Sequence, residues 1–152
     1  MNNEEFVRRA YEVAEAKDIP AWIDCFNPDG VFVDQSVGVT YSGPTEVAKP
    51  VENYGRAFSD MHRELYEVYV NGDDVIVELA LQGTQDGPLW LPQGILRPTG
   101  NRMDAPCCDV FRLQDGKIHL FDCYPSGTVI LSQLGVLPNL GAVLQPQETA
   151  HV

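Results

Sequence analysis

The sequence predicts an α+β protein. Two observations carry this. Helical spacing is confined to the first third of the chain, and the rest alternates apolar and polar residues between hairpin signals. A third, the hairpin "CCDVFRLQDGKIHLFDCY" at 107–124, points to a buried sheet face with acids on it.

The elements follow in order. Residues 3–16, "NEEFVRRAYEVAEA", carry apolar residues at 6, 7, 10, 11, 13 and 14 with acids in the first turn, which reads as a helix. "KDIPAW" breaks it, and Pro20 opens a short second helix, "PAWIDCF". "NPDG" reads as a turn, "VFVDQS" as a short strand, and "VGVTYSG" as a second strand or an extended loop. Residues 44–58 have helical spacing, with Pro50 forcing a kink or a late start. "HRELYEVYVNG" and "DDVIVELALQGTQDG" form a hairpin about "NGDD". "PLWLPQGILRPTGNR" is an extended excursion with a turn. A short helix begins in "PSGTVILSQLGVL", and the tail from Pro138 is rich in Pro, Gly and Gln. A single domain over 1–137 with a tail at 138–152 is expected.

Composition narrows the function. The 152 residues suffice for one domain with a real core, and the 44% hydrophobic and 21% charged content is that of an ordinary globular chain. A net charge of −12 argues against nucleic acid and anionic membranes, which call for basic patches. No apolar run reaches membrane-spanning length, and "MNNEEFVRRAYEV" lacks the apolar core of a signal peptide, so a cytoplasmic protein is expected. Cys25, Cys107, Cys108 and Cys123 show no zinc-type spacing, so no metal is expected and reduced thiols are the default.

Asp115-Gly116 marks a two-residue turn that pairs Gln114 with Lys117. Counting outward sets Asp109 opposite Asp122 and Cys108 opposite Cys123. The face carrying both aspartates also carries Phe111, Leu113, Ile118, Leu120 and Tyr124, so it is the expected inner face. Like charges opposed on an apolar surface are relieved when a carboxyl keeps its proton, which makes the pair a proton-handling device. The alternatives are a bulge that separates the two, or solvated aspartates paired with Arg102 or Arg112.

Taken together, "FVDQSVGVTYSG", "FSDMH", "GTQDGP", "PTG", "DVFRLQDGKI" and "SQLG" resemble, in order and spacing over about residues 4–137, the NTF2-like superfold. More narrowly they resemble the SnoaL-like polyketide cyclases and ester cyclases, relatives of ketosteroid isomerase. The resemblance implies a cone of helices on a curved, mostly antiparallel sheet, commonly a homodimer. It also implies no organic or metal cofactor and acid/base chemistry on a small, largely apolar molecule. By the same resemblance Asp34 falls at the isomerases' general base and Asp109 at their protonated aspartate, a case the general theory of tuned acids takes as its example. The isomerases' first-helix tyrosine falls at Ala10, with Tyr11 about 100° round the helix, so the oxyanion hole is expected to lack that partner. Ser126 stands where many cyclases carry an aspartate, with Asp122 four residues earlier. "VIVELALQG" holds no arginine for an Asp-Arg-Asp relay of the limonene-epoxide-hydrolase type.

Asp34 reads equally as a base or as a turn-forming residue before "QSVG". His62 reads as a proton shuttle or as a strand-end histidine bonded to backbone. His119 falls on the opposite hairpin face. Trp22, Tyr54, Phe58, Trp90, Tyr124 and Ser126 are the candidate substrate-binding residues. "GTQDGP" lies within the strands and is a bend, not a phosphate loop. The function expected is a cyclase- or isomerase-type acid/base enzyme. The alternatives are a non-catalytic pocket for a hydrophobic metabolite and a dimeric scaffold.

Overall fold

The computed structural model describes residues 1–137; the expected tail at 138–152 lies outside the described residues. Helix α1 (Asn3–Glu15) is started by Asn2, whose side chain accepts from the Glu5 amide while the Glu5 carboxylate takes the Asn2 amide. Val7, Ala10, Tyr11 and Ala14 form its buried stripe. Helix α2 (Ile19–Asp24) is capped by Asp18. Strand β1 (Phe26–Asp34) begins earlier than the sequence predicts and absorbs "NPDG" as a pairing irregularity between Phe26 and Val31 rather than as a turn. Strand β2 is Val39–Ser42. The predicted helix at 44–58 is two: α3 (Pro44–Val47) and α4 (Lys49–Ala57), with Pro50 in the first turn of the latter, where its missing N–H costs nothing.

Strands β3 (His62–Asn71) and β4 (Asp74–Thr84) form the first long hairpin. The excursion contains a small hairpin, β5 (Leu89–Leu91) with β6 (Gly94–Leu96). Strands β7 (Arg102–Gln114) and β8 (Lys117–Pro125) form the second long hairpin, and α5 (Gly127–Gln133) follows. Asp115 and Gly116 take φ of 53° and 76°, the two positive values such a tight turn needs.

The six-stranded sheet runs β2-β1-β8-β7-β4-β3, antiparallel except for the β1–β8 pair. The fold is the α+β cone expected, with helices over a curved sheet. An aromatic cluster fills its base. Phe32 stacks on Phe121 at 4.5 Å, Phe111 meets Phe121 edge-on at 4.5 Å, and Trp22 packs edge-on against Phe26 at 5.1 Å. The excursion is pinned to α4. Asp86 and Gly87 amides both donate to the Ala57 carbonyl, and a Cβ on Gly87 would stand 2.0 Å from the Arg56 carbonyl oxygen, so only glycine fits there. Fully buried Gln85, in the predicted bend, accepts from Thr99 and donates to the Gly87 and Arg97 carbonyls.

Candidate active site

The hairpin register decides which acids share the site. Gln114 pairs with Lys117 and Leu113 with Ile118, as the turn dictates. Then Arg112 pairs with Leu120, so His119 is an extra residue, a bulge. Beyond it every rung moves by one. Asp109 faces Cys123, and Asp122 faces Val110. A one-residue slip turns side chains to the other face. Asp109 is therefore on the inner face and buried, whereas Asp122 is on the outer face and accepts from Gln35 at 3.0 Å. The expected Asp109–Asp122 pair does not exist. Cys108 lies opposite Tyr124 rather than Cys123, and all four cysteines are free. Tyr124 is exposed on the outer face, not the inner one.

The inner face lines a cavity with Tyr11 and Ala14 of α1, Trp22 of α2, and Pro50, Val51 and Tyr54 of α4. From the sheet come Phe32, Asp34, Arg63, Leu81, Asp109, Phe121, Cys123 and Pro125. A water molecule's centre can occupy about 40 Å³ of it, room for a few waters on the usual scale of roughly 10–15 Å³ each. A small hollow beside it shares Asp34, Pro50 and Tyr54 with the cavity, and shares Tyr41, Asn53 and Trp90 with an open surface groove. The three spaces thus adjoin in a line from solvent to Asp109, and Tyr54 and Asp34 stand where the last two meet.

Asp109 is held from three sides. The Tyr11 hydroxyl donates to its Oδ2 at 2.6 Å, and the Cys107 thiol donates to Oδ1 at 3.3 Å. Burial raises its pKa, and the hydrogen bonds from Tyr11 and the cysteines and the positive charge of Arg63 only partly oppose this. Burial and the adjacent Asp109 hold the Tyr11 hydroxyl well above its ordinary value. The expectation that the site lacks a helix tyrosine is thus corrected. Tyr11 fills the place because helix packing, not alignment to Ala10, sets which side chain points inward.

Asp34 is buried at the end of β1, where its Oδ1 accepts from the Ser36 amide at 3.0 Å and hydroxyl at 2.6 Å. It is both a turn-former and a cavity residue. Its Oδ2 takes no hydrogen bond from the described residues and is not sealed from the cavity. Tyr54, stacked on Phe58 at 6.1 Å, has its hydroxyl held well above the ordinary range by burial, with Asp34 adding to this.

Other candidates lie elsewhere. His62 is half exposed outside the cavity, its ring nitrogens 2.6 Å from Glu15 and 2.8 Å from Glu64, which raise its pKa. It starts β3 and points to the outer side, so neighbouring acids rather than backbone hold it. Phe58 is fully buried in the core behind Tyr54. Trp22 lines the cavity and donates to the Val47 carbonyl at 2.9 Å. Trp90 belongs to the outer groove and the hollow, held there by Asn53 contacts to its backbone. Ser126 caps α5 outside the cavity. Tyr11 and Arg63 are the cavity residues the sequence reading passed over. Arg63 carried a signal, being a charged residue at an inward position beside His62.

Sγ of Cys107 and Cys123 and a carboxylate oxygen of Asp109 lie within 4.8 Å of one another, the one convergent set of metal-type donors among the described residues. A metal would need both thiols deprotonated. Cys107, although its contact with Cys123 favours the thiolate, is pushed up to about 11 by burial and Asp109. Cys123 is raised well above its usual value by its hydrogen bond with Cys107 and by burial. The trio therefore fits a protonated thiol–carboxyl cluster better than a metal centre.

The profile of the SnoaL-like domain matches residues 7–121. The chain belongs to this SnoaL-like domain family. Its fold is shared with a protein from Jannaschia sp. CCS1, provisionally assigned as a SnoaL-like polyketide cyclase (TM-score 0.79, 22% identity, 90% of this chain and 92% of that one). It is also shared with a hypothetical protein of ketosteroid isomerase-like fold from Catenulispora acidiphila DSM 44928, in complex with trimethylamine (TM-score 0.74, 21% identity, 89% and 95%). TerC, co-crystallised with polyporic acid, matches at TM-score 0.69 and 15% identity over 88% and 98%. At these identities the likeness is one of fold. Among curated proteins none matches the chain. No helix among the described residues is long and apolar enough to cross a membrane.

Proposed function

We propose that this SnoaL-like protein is a cofactor-independent acid/base catalyst of the cyclase or isomerase type, acting on a small, largely apolar molecule in the cavity. The observation that carries the reading is the buried Asp109 carboxyl, with raised pKa and a 2.6 Å bond from Tyr11, in the same cavity as Asp34. A protonated Asp109 acts with Tyr11 as a pair of hydrogen-bond donors for an oxygen that gains negative charge. Asp34, with one oxygen fixed by Ser36 and the other free, takes the proton from the adjacent carbon and returns it to another. The apolar lining keeps water from competing. The solvent-to-cavity line of spaces is the entry path.

The test is deuterium incorporation at the α-carbon of small cyclic ketones such as cyclopentanone and 1-indanone in D2O. Loss of one preorganised donor costs about 3–4 kcal/mol, so Asp109→Asn is expected to slow exchange about a hundredfold or more, and Asp34→Asn to slow it at least as much. Equal rates for wild type and both variants would remove these residues from the mechanism.

The narrowness of the cavity favours a second reading, a binding or scaffold module that does no chemistry. Silent exchange with every ketone, alongside an ordinary carboxyl titration for Asp109, would make that reading the better one. For either reading we propose a homodimer. The outer sheet face sets Tyr69, Ile76 and Val110 in one row and Cys108 beside Tyr124 in the next, with Tyr66, Tyr69 and Tyr124 half or more exposed, an apolar surface suited to a second copy. Sedimentation that gives a monomer at micromolar concentration would count against it.

A further inference from the structure

Arg63 is the unexplained residue of the cavity. Its backbone is tied down, the amide donating to Glu15 at 2.9 Å. Its side chain is not. Nη1 is sealed from solvent and has no hydrogen-bond partner, the one such side-chain atom among the described residues. No carboxylate of the described residues lies within ion-pair distance of the guanidinium, although its charged end is surrounded by protein. Burial works against its charge, and Asp109 and Glu15 support it from a distance. Arginine does not escape by losing its proton. A buried guanidinium left without an acceptor is a standing cost to the fold, so some other group must supply one.

Asp109 is the nearest candidate by charge, but its oxygens are engaged by Tyr11 and Cys107. Asp34 is turned to Ser36. The missing acceptor is then a ligand atom. Arg63 lines the same cavity as both acids, so that atom belongs to whatever the cavity holds. We infer that the ligand carries a carboxylate, seated on the Arg63 guanidinium, at one end of an otherwise apolar body. A planar monoanion matches the arginine fork. A phosphate dianion fits worse, with two aspartates in the same narrow space. The inference rests on the small-molecule reading of the cavity and adds the substrate class to it.

The test compares benzoate with benzamide, equal in shape and different in charge, by NMR titration of the wild-type protein, following the cavity amides and the Arg63 side-chain Nε–H. Benzoate is expected to bind at least tenfold tighter than benzamide and to shift the Arg63 signal. In Arg63→Met that preference is expected to vanish while benzamide binds as before. In Arg63→Lys part of it is expected to remain. Because Arg63→Met removes an uncompensated buried charge, its melting temperature without ligand is expected to rise. Should that variant not fold, the wild-type preference and the Arg63 shift still decide. Equal affinities, or a benzoate preference that survives in Arg63→Met, would overturn the carboxylate anchor and leave the cavity as a site for neutral molecules. Binding of neither probe would overturn both the anchor and the small-molecule reading.

Discussion

Asp109 and Asp122 sit on neighbouring rungs of the same hairpin and face opposite ways. Asp109 is 2% exposed, bonded by a tyrosine and a thiol, and raised in pKa. Asp122 faces outward and is bonded by one exposed glutamine. The same contrast runs along β8, where Phe121 lies in the aromatic cluster and Tyr124 in the open. Chemistry here is a property of the face, and the bulge at His119 assigns the face.

The largest expected effect sharpens that contrast through packing. Phe121→Ala empties a site shared with Phe32, Phe111 and Trp22, and is expected to cost about 3–5 kcal/mol. Tyr124→Ala is expected to cost well under about 1 kcal/mol in the monomer, and Asp122→Asn to stay within about 0.5 kcal/mol. Urea denaturation checks all three; comparable costs on the two faces would break the comparison.

Next comes Tyr11→Phe. It removes the donor to Asp109 and is expected to cost about 1.5–3 kcal/mol while raising the Asp109 pKa further. Carbon NMR of the carboxyl reads that shift directly, and an unmoved midpoint would mean the bond does not favour the ionised form.

A smaller effect depends on pH. The folded pKa of Asp109 lies above its unfolded value, so the folded state holds the proton longer. Stability is then full below the ordinary aspartate value of 3.8 and is lost as pH rises through the raised folded one. Asp109→Asn is expected to abolish that loss, so that its stability relative to wild type improves steadily upward from acid pH. A parallel pair of stability–pH curves would refute the raised pKa.

The smallest effect belongs to His62, outside the cavity. Its pKa is raised by Glu64 and Glu15, so its contribution is full below the unfolded value of 6.5 and fades as pH rises through the folded one. Exposure and solvent screening keep it under about 1 kcal/mol. His62→Gln is expected to flatten stability in that window alone and to leave α-proton exchange unchanged. A slowed exchange would bring His62 back into the site.

Much of this was legible in residues. The hairpin turns at Gly72 and Asp115-Gly116, the amphipathic first helix and the segregated α+β order all follow from local patterns. So did Asp109, which the turn and the resemblance both pick out, and Asp34. Asp122 and Tyr124 were misplaced because a bulge is one extra residue, and no local propensity announces it at His119. His62 was drawn to the site by residue type, while its neighbour Arg63 has the inward position. Tyr11 was missed because the docking angle of a helix is a tertiary property that its own spacing does not fix. Ser126 and Phe58 were near the cavity in sequence but are used for a helix cap and for core.

The Tyr11–Asp109 bond joins residues 98 positions apart, the first helix to the second-last strand. As the chain emerges from the ribosome, α1 has no partner for its tyrosine until β7 has been made and paired. Contacts of such separation form late, because the long loop must close first. The proton-holding carboxyl therefore comes into being only when folding is nearly complete. A nascent or truncated chain ending before Arg102 can make helices and a hairpin, but it cannot be active.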